Sequence, residues 1–218
     1  MAAKTRLPTN TGNNPFLTRL YGVETVDDCR DIYDAWASTY DADLYGPDQD
    51  YVAPHLTAQA LLKAKGDLSG RILDAGCGSG LSGLALAEAG ASDIDGIDLS
   101  PGMLKLAEQK NVYRSVAPAD LSEPIDKPNE EYDAVACVGT LTHGHVGPIP
   151  ALAEFVRITK KAGVIAATVL DDAWSAGGYE EEVGRLQSEG KVEVVGTEKV
   201  PYRQAAGVSA RMLVLRKL

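Results

Sequence analysis

The sequence predicts an α/β domain built on a doubly wound, mostly parallel sheet with helices on both faces. Three observations point to it. From residue 71 to residue 169, short apolar runs alternate with helix-patterned segments, the arrangement of parallel strands joined by crossover helices. One apolar run, Ile72-Leu73, leads through Asp74 into Gly76-Cys77-Gly78-Ser79-Gly80 and directly into a helical stretch. Two β-rich runs, Lys191–Tyr202 and Ser209–Arg216, close the sequence with no helix between them, which predicts an antiparallel hairpin at a sheet edge.

The elements follow in order. Residues 1–15 are rich in Thr, Asn and Pro without periodicity, and a mobile tail is expected over 1–20. Between Thr25 and Tyr40, Val26, Cys29, Ile32, Tyr33, Trp36 and Tyr40 recur at three- and four-residue spacing and predict one helix. A second helix is expected over Pro54–Ala64 and a turn over Gly66–Gly70. Strands are then expected at 71–75, 93–98, 112–116, 132–138 and 163–169, with helices at 81–89, 101–110 and 149–160. Ser100 is an N-cap residue and Pro101 sits where its missing N–H costs nothing. Gly163 is a stop signal for the helix carrying Val156, Ile158 and Lys160. A last helix is expected over Tyr179–Ser188.

Composition narrows the function classes. The 218 residues suffice for one domain with a sizeable core, and 44% apolar and 24% charged residues are ordinary for a globular protein. A net charge of −10 and an isoelectric point near 4.8 disfavour nucleic acid or an anionic membrane as partner. The apolar run Val164–Leu170 is far short of the ~20 residues of a membrane helix. The N-terminus shows no apolar core segment, so no signal peptide is expected. Three cysteines, Cys29, Cys77 and Cys137, lack framework spacing and read as packed, reduced thiols in a cytoplasmic protein.

The glycine turn carries the chemistry. A strand-to-helix turn that passes close to a ligand cannot carry side chains, and glycines also permit positive φ. The following helix aims its free N–H groups at the site. The pattern here is DxGxGxG rather than the GxGxxG of dinucleotide folds. A carboxylate at the mouth of the turn, Asp74, is a poor neighbour for a pyrophosphate and suits an ammonium or sulfonium. Asp98, ending the next strand, is placed to accept hydrogen bonds from a ribose.

The chain resembles the class I S-adenosylmethionine-dependent methyltransferases of the small single-domain type. The resemblance rests on LDAGCGSG (73–80), DGIDLSPGMLKLA (95–107), ADLSEPI (119–125), YDAVACVGTLTH (132–143) and FVRITKKAGVIAATV (155–169), in the family's order and spacing, with YDAWASTYDADL (33–44) upstream. It implies a Rossmann-like, seven-stranded sheet with an antiparallel last strand. Residues 21–218 then form one domain: an N-terminal helical lid (21–66), a cofactor-binding core (67–170), and a substrate-side segment with the C-terminal hairpin (171–218). The implied cofactor is S-adenosyl-L-methionine, leaving as S-adenosyl-L-homocysteine. Residue by residue, the resemblance places Asp74, Gly76, Cys77, Gly78 and Gly80 on the methionine portion and Asp98 on the ribose. Leu99 and Met103 would border the adenine, Asp120 would take its amine, and Leu121 would lie beside it. Tyr40 and Trp36, on a helix that crosses the cofactor in this family, would meet the sulfonium.

The remaining candidates are positional. Ligands of open α/β sheets bind at the carboxyl ends of strands, so the loop from Val138 to His145 should face the methyl group. His143 and His145 are then candidates for a general base or for acceptor orientation, against the blander role of bonding a loop carbonyl. Tyr33, Trp174 and Tyr179 are candidate acceptor contacts, with Gly177-Gly178 as a hinge; as an ordinary alternative all three are packed aromatics. No metal-ligand spacing is legible.

The expected function is methyl transfer to an oxygen or nitrogen of a small-molecule acceptor, with positioning as the main catalytic device. Val138-Gly139-Thr140-Leu141 stands where amine-methylating enzymes acting on nucleobases carry (Asp/Asn)-Pro-Pro-(Tyr/Phe), which argues against that class. Three rivals stay open: a cofactor-binding domain that catalyses a rearrangement or cyclisation, a non-catalytic partner module, and a protein methyltransferase. Monomer and homodimer are both compatible with the sequence.

Overall fold

The structure, a computed structural model, describes residues 9–218. Its centre is a seven-stranded sheet formed by β1 (Arg71–Ala75), β2 (Asp93–Asp98), β3 (Ser115–Pro118), β4 (Tyr132–Leu141), β5 (Thr159–Leu170), β6 (Val192–Arg203) and β7 (Val208–Lys217). The spatial order is β3-β2-β1-β4-β5-β7-β6. Strands β1 to β5 are parallel, and β7 inserts antiparallel between β5 and β6. The chain leaves β3 at one edge and returns to β4 beside β1, so the strand order reverses between β1 and β4. That is the switch point at which open α/β sheets bind ligands.

Two faces are visible in the strand residues. Leu73, Val135, Ile165 and Leu213 belong to one core cluster, which also receives α2 (Val26–Trp36), α7 (Ala151–Ile158) and α9 (Tyr179–Ser188). Their sequence neighbours Ile72, Ala134, Val164 and Val214 belong to the other, beneath α4 (Ala53–Lys65) and α5 (Leu81–Glu88). This is the period-two alternation of strands buried on both sides. Burying each leucine, isoleucine or valine among them contributes about 1.5–3 kcal/mol.

Four expectations are corrected. The tail extended to residue 20, yet α1 (Pro15–Leu20) is helical: Asn14 accepts from Leu17 N at 3.0 Å, Pro15 opens the helix, and Leu17 and Leu20 are buried. Residues 1–8 of that expected tail lie outside the described residues. The single helix over Thr25–Tyr40 is two helices, α2 and α3 (Tyr40–Tyr45). Asp43 competes for the junction, accepting from Trp36 Nε1 at 2.6 Å and Thr39 Oγ1 at 3.0 Å. β3 starts at Ser115 rather than at 112, because Tyr113 turns inward to Asp74. The helix expected to 160 ends at Ile158; Thr159 Oγ1 donates to Phe155 O at 2.6 Å and Thr159 already pairs with Tyr132.

The N-terminal helices lie across the carboxyl ends of the strands and are held there by polar ties. Asp34 on α2 accepts from Ser100 Oγ and from Gly102 N at 2.8 Å, at the start of α6 (Pro101–Gln109). Asp41 on α3 accepts from Ser79 Oγ in the glycine turn and from Lys110 Nζ at 2.6 Å.

Candidate active site

A cleft with about 690 Å³ of empty space, open mouth included, lies at the carboxyl ends of β1 to β4. Gly76 and Gly78 form its floor, Asp98, Leu99 and Met103 one side, Ala119, Asp120, Leu121 and Ser122 the end. Val26, Cys29 and Tyr33 of α2 roof it, and Thr140, Gly144, His145 and Val146 complete the wall after β4.

The glycine turn is shaped for this. Gly76 and Gly78 have φ of 74° and 52°. A Cβ at Gly76 would lie 2.1 Å from Thr140 Oγ1, so the turn packs directly on β4. A Cβ at Gly78 would meet nothing within 4 Å, so glycine there keeps space on the cleft floor free. Asp98 fixes the turn from the next strand: one carboxylate oxygen accepts from Gly78 N at 2.8 Å, the other from Ser100 N at 2.9 Å. Loss of solvent pushes the Asp98 carboxyl above its ordinary range, and these backbone donors pull it back.

Asp74 is used differently from its sequence expectation. It is fully buried, accepts from Ser82 Oγ at 2.6 Å and Tyr113 OH at 2.7 Å, and does not line the cleft. Burial raises its carboxyl to about 6 despite both donors. Its place is the far side of the turn, where it joins α5 to the segment before β3. Cys77 and Gly80 also turn from the cleft: Cys77 packs with Leu104 and Ala107, and a Cβ at Gly80 would meet Lys110 and Ala107. Val138 is buried in the core beside the cleft, and Thr140 takes the exposed position.

Of the aromatic stripe on α2, Tyr33 reaches the site. Trp36 is buried, stacked on Phe16 at 5.2 Å, and Tyr40 packs edge-on against it at 4.6 Å. Neither borders the cleft. Trp174 and Tyr179 are buried as well, and Tyr179 OH donates to Val146 O, bracing the loop from behind.

The two histidines separate. His143 Nε2 lies 2.9 Å from Asp172 Oδ1 and outside the cleft. His145 Nδ1 is 2.7 Å from the His143 carbonyl, and its Nε2 is 2.8 Å from Tyr33 OH. A carbonyl only accepts, so Nδ1 carries the proton and the neutral ring presents Nε2 as an acceptor to the Tyr33 hydroxyl. Loss of solvent lowers the His145 pKa from the ordinary value, so the ring is neutral at pH 7. The loop that sets it is tight: a Cβ at Gly144 would lie 3.1 Å from Leu20 O, and its φ is 71°.

Tyr33 and His145 also form part of a second, inner chamber of about 20 Å³, room for about one water. Its other walls include Tyr21, Tyr51, Gly139, Thr142, Tyr202 and Arg203. Arg203, on β6, was not among the sequence candidates. Nothing in the alternating β6 run distinguishes it from the surface charges beside it.

Residues 72–163 match the methyltransferase domain family. That span holds the glycine turn, Asp98, Asp120 and the His145 loop. The chain belongs to the class I S-adenosylmethionine-dependent methyltransferases. It is 34% identical over 151 residues to human methyltransferase-like protein 27, covering 68% of this chain and 60% of that protein. It is 32% identical over 108 residues to the ubiquinone biosynthesis O-methyltransferase of Bordetella avium, covering 45% of this chain and 44% of that one. The chain thus spans less than two thirds of the length of these relatives. Other relatives are named for a tRNA and for a ribosomal protein. In fold it is similar to the [4+2]-cyclase SpnF, with a TM-score of 0.68 at 19% identity over 89% of this chain and 97% of that one. S-adenosylmethionine is the cofactor of the family. The cleft fits it: a floor kept bare at Gly78, a carboxylate at Asp98 and an apolar side at Leu99 and Met103. Among the described residues no group of three or more His, Cys, Asp or Glu could hold a metal ion, and no helix is long and apolar enough to cross a membrane.

Proposed function

We propose that this chain transfers a methyl group from S-adenosylmethionine to an oxygen or nitrogen of a small molecule. The observation that carries the reading is the Tyr33–His145 pair, which borders both the cofactor cleft and the inner chamber. When bound, the cofactor supplies a methyl group on a positively charged sulfur, already activated for in-line displacement.

The residues of the chain do the rest. Gly76 and Gly78 leave room for the cofactor's backbone, Asp98 accepts from the ribose hydroxyls, and Leu99, Met103 and Leu121 flank the base, with Asp120 near its amine. Asp74 supports the turn from behind. Tyr33 and His145 handle the acceptor's proton: the acceptor hydroxyl or amine donates to the Tyr33 oxygen while Tyr33 donates to His145 Nε2. On methylation of the acceptor, its proton would move to Tyr33 and the tyrosyl proton to His145 Nε2. Burial holds Tyr33 well above its ordinary pKa, so it acts as a relay rather than as a phenolate.

The walls favour a small acceptor over a peptide or a nucleic acid. Tyr21, Tyr51, Tyr202 and Arg203 are all buried, so the chamber does not open as a groove.

The direct test is incubation with S-adenosylmethionine labelled in its methyl group and a panel of small phenols, amines and acids. Mass spectrometry is used to find labelled methyl on one of them. Turnover without label in any product, with cofactor retained, would replace this reading by the non-transferring one.

A further inference from the structure

The glycine turn is held from two sides. On the cleft side Asp98 accepts from Gly78 N. On the far side stands Tyr113, in the short segment between α6 and β3. Asn111, with φ of 56°, turns the chain after α6, and Arg114 N donates to Ile94 O at 2.7 Å. Between these two anchors Tyr113 points beneath the start of α5. Its hydroxyl donates to Asp74 Oδ2 at 2.7 Å and accepts from Gly83 N at 3.1 Å. Loss of solvent and the neighbouring Asp74 charge push this hydroxyl well above its ordinary pKa, so it stays protonated and donates and accepts at once.

Those two partners bracket the turn. Asp74 precedes it on β1, and Gly83 follows it in the first turn of α5. The Gly83 N–H is one that an N-cap side chain ordinarily takes, but the N-cap of α5 is Gly80, which has none to offer. The hydroxyl of a residue 30 positions later supplies the cap instead. Ser82 Oγ closes the same bracket by donating to Asp74 Oδ2 at 2.6 Å. Glycines make the space for the tyrosine. A Cβ at Gly83 would overlap its ring and hydroxyl, and a Cβ at Gly96 on β2 or at Gly80 would lie 3.1 Å or 3.2 Å from the ring. Tyr113 also packs against the small cluster that holds Cys77 of the turn.

We infer that Tyr113 is a positioning residue for the cofactor: its hydroxyl ties Asp74 to Gly83 and so holds Gly76 and Gly78 in the shape that receives S-adenosylmethionine. Tyr113 itself does not line the cleft. It acts by preorganisation, since a loop already held in its binding shape loses less freedom when the ligand arrives. Asp74 then serves the cofactor through Tyr113 and Ser82 rather than by contact. The inference rests on the cofactor assignment and is independent of which acceptor is methylated.

The test is calorimetric titration of S-adenosylhomocysteine into the full chain as wild type, Tyr113→Phe and Val192→Ala, at a temperature where thermal melts show all three folded. Tyr113→Phe keeps the ring and removes the hydroxyl. It should weaken S-adenosylhomocysteine binding about three- to tenfold, the loss of one net hydrogen bond. Val192 is buried opposite Lys217, at the end of the sheet away from the cleft. Val192→Ala should lower the melting temperature and leave the affinity unchanged. Hydrogen exchange should quicken over residues 76–83 in Tyr113→Phe and not in Val192→Ala. Should Tyr113→Phe not fold, Gly83→Ala, whose methyl group takes the place of the hydroxyl, should show the same loss of affinity. Unchanged affinity in the folded variant, or equal weakening in Val192→Ala, would overturn the inference. A wild type that does not bind S-adenosylhomocysteine would overturn the cofactor assignment beneath it.

Discussion

The Tyr33 hydroxyl and His145 Nε2 stand 2.8 Å apart across the boundary between the cofactor cleft and the inner chamber. One comes from α2, the other from the loop after β4, 112 residues later. Nothing local in the sequence relates them. They meet because α2 is tied by Asp34 to α6 and because Gly144 lets the β4 loop pass against Leu20.

This pair predicts a division of labour between the histidines. His145→Gln should lower kcat by about 10²–10⁴-fold, the usual worth of a positioned base. Tyr33→Phe should do likewise for acceptors that must lose a proton. His143→Ala should cost far less, since its side chain is engaged with Asp172 outside the cleft. Steady-state kinetics on the three variants check this; equal losses in His143→Ala and His145→Gln would refute it.

The same pair sets a pH profile. His145 must be neutral to accept a proton, and burial lowers its pKa below the ordinary 6.5. Activity should therefore stay level as pH falls from 8 to 6.5 and decline only below that. An inflection above 6.5 that vanishes in His145→Gln would contradict the assignment.

The two floor glycines should fail in different ways. Gly76→Ala drives a methyl group onto Thr140 at positive φ and should cost stability by about 2 kcal/mol or more. Gly78→Ala meets no neighbour, so it should cost only the αL penalty of about 1–2 kcal/mol. Its methyl group nevertheless enters the cleft, so cofactor affinity should fall by about tenfold, roughly 1.4 kcal/mol. Urea denaturation and cofactor titration separate the two effects.

Asp74 makes stability depend on pH. Its folded-state pKa is raised to about 6 from 3.8. The native state then holds more protons than the unfolded chain between these values. The contribution is present below the unfolded pKa and is lost as pH rises through about 6. The stability difference between wild type and Asp74→Asn should therefore shift against the wild type by about 2 kcal/mol between pH 4 and pH 7. Urea midpoints measured across that range test it, and a constant difference would show that Asp74 does not titrate there.

Much of the fold was legible because its signals are local. Asp74 through Leu81 reads as strand, turn and helix from residue type alone, and the fold places β1 and α5 there. Asp98, Leu99, Met103, Asp120 and Leu121 border the cleft because each ends a strand or opens the segment after one. The misreadings come from long-range competition. Trp36 and Tyr40 share spacing with Tyr33, but Asp43 breaks the helix between them and Phe16 covers Trp36. The sequence spacing of α2 gives no sign of Phe16. Trp174 and Tyr179 follow the fifth strand as acceptor residues would, yet they pack inward behind the loop. Arg203 went unseen because only the folded hairpin brings it to Thr142 and Tyr21.

The central claim is that the cleft between the glycine turn and Asp98 holds S-adenosylmethionine. The measurement that tests it most directly is calorimetric titration with S-adenosylmethionine and S-adenosylhomocysteine on wild type and Asp98→Asn. Asp98 accepts from backbone N–H groups with both carboxylate oxygens; the asparagine keeps one of these acceptors and sets its NH2 against the other donor, so the variant should fold with a measurable loss of thermal stability. Saturable binding to the wild type, weakened about tenfold or more in the folded variant, is the predicted result. Binding that is absent in the wild type, or indifferent to Asp98→Asn, would contradict the account.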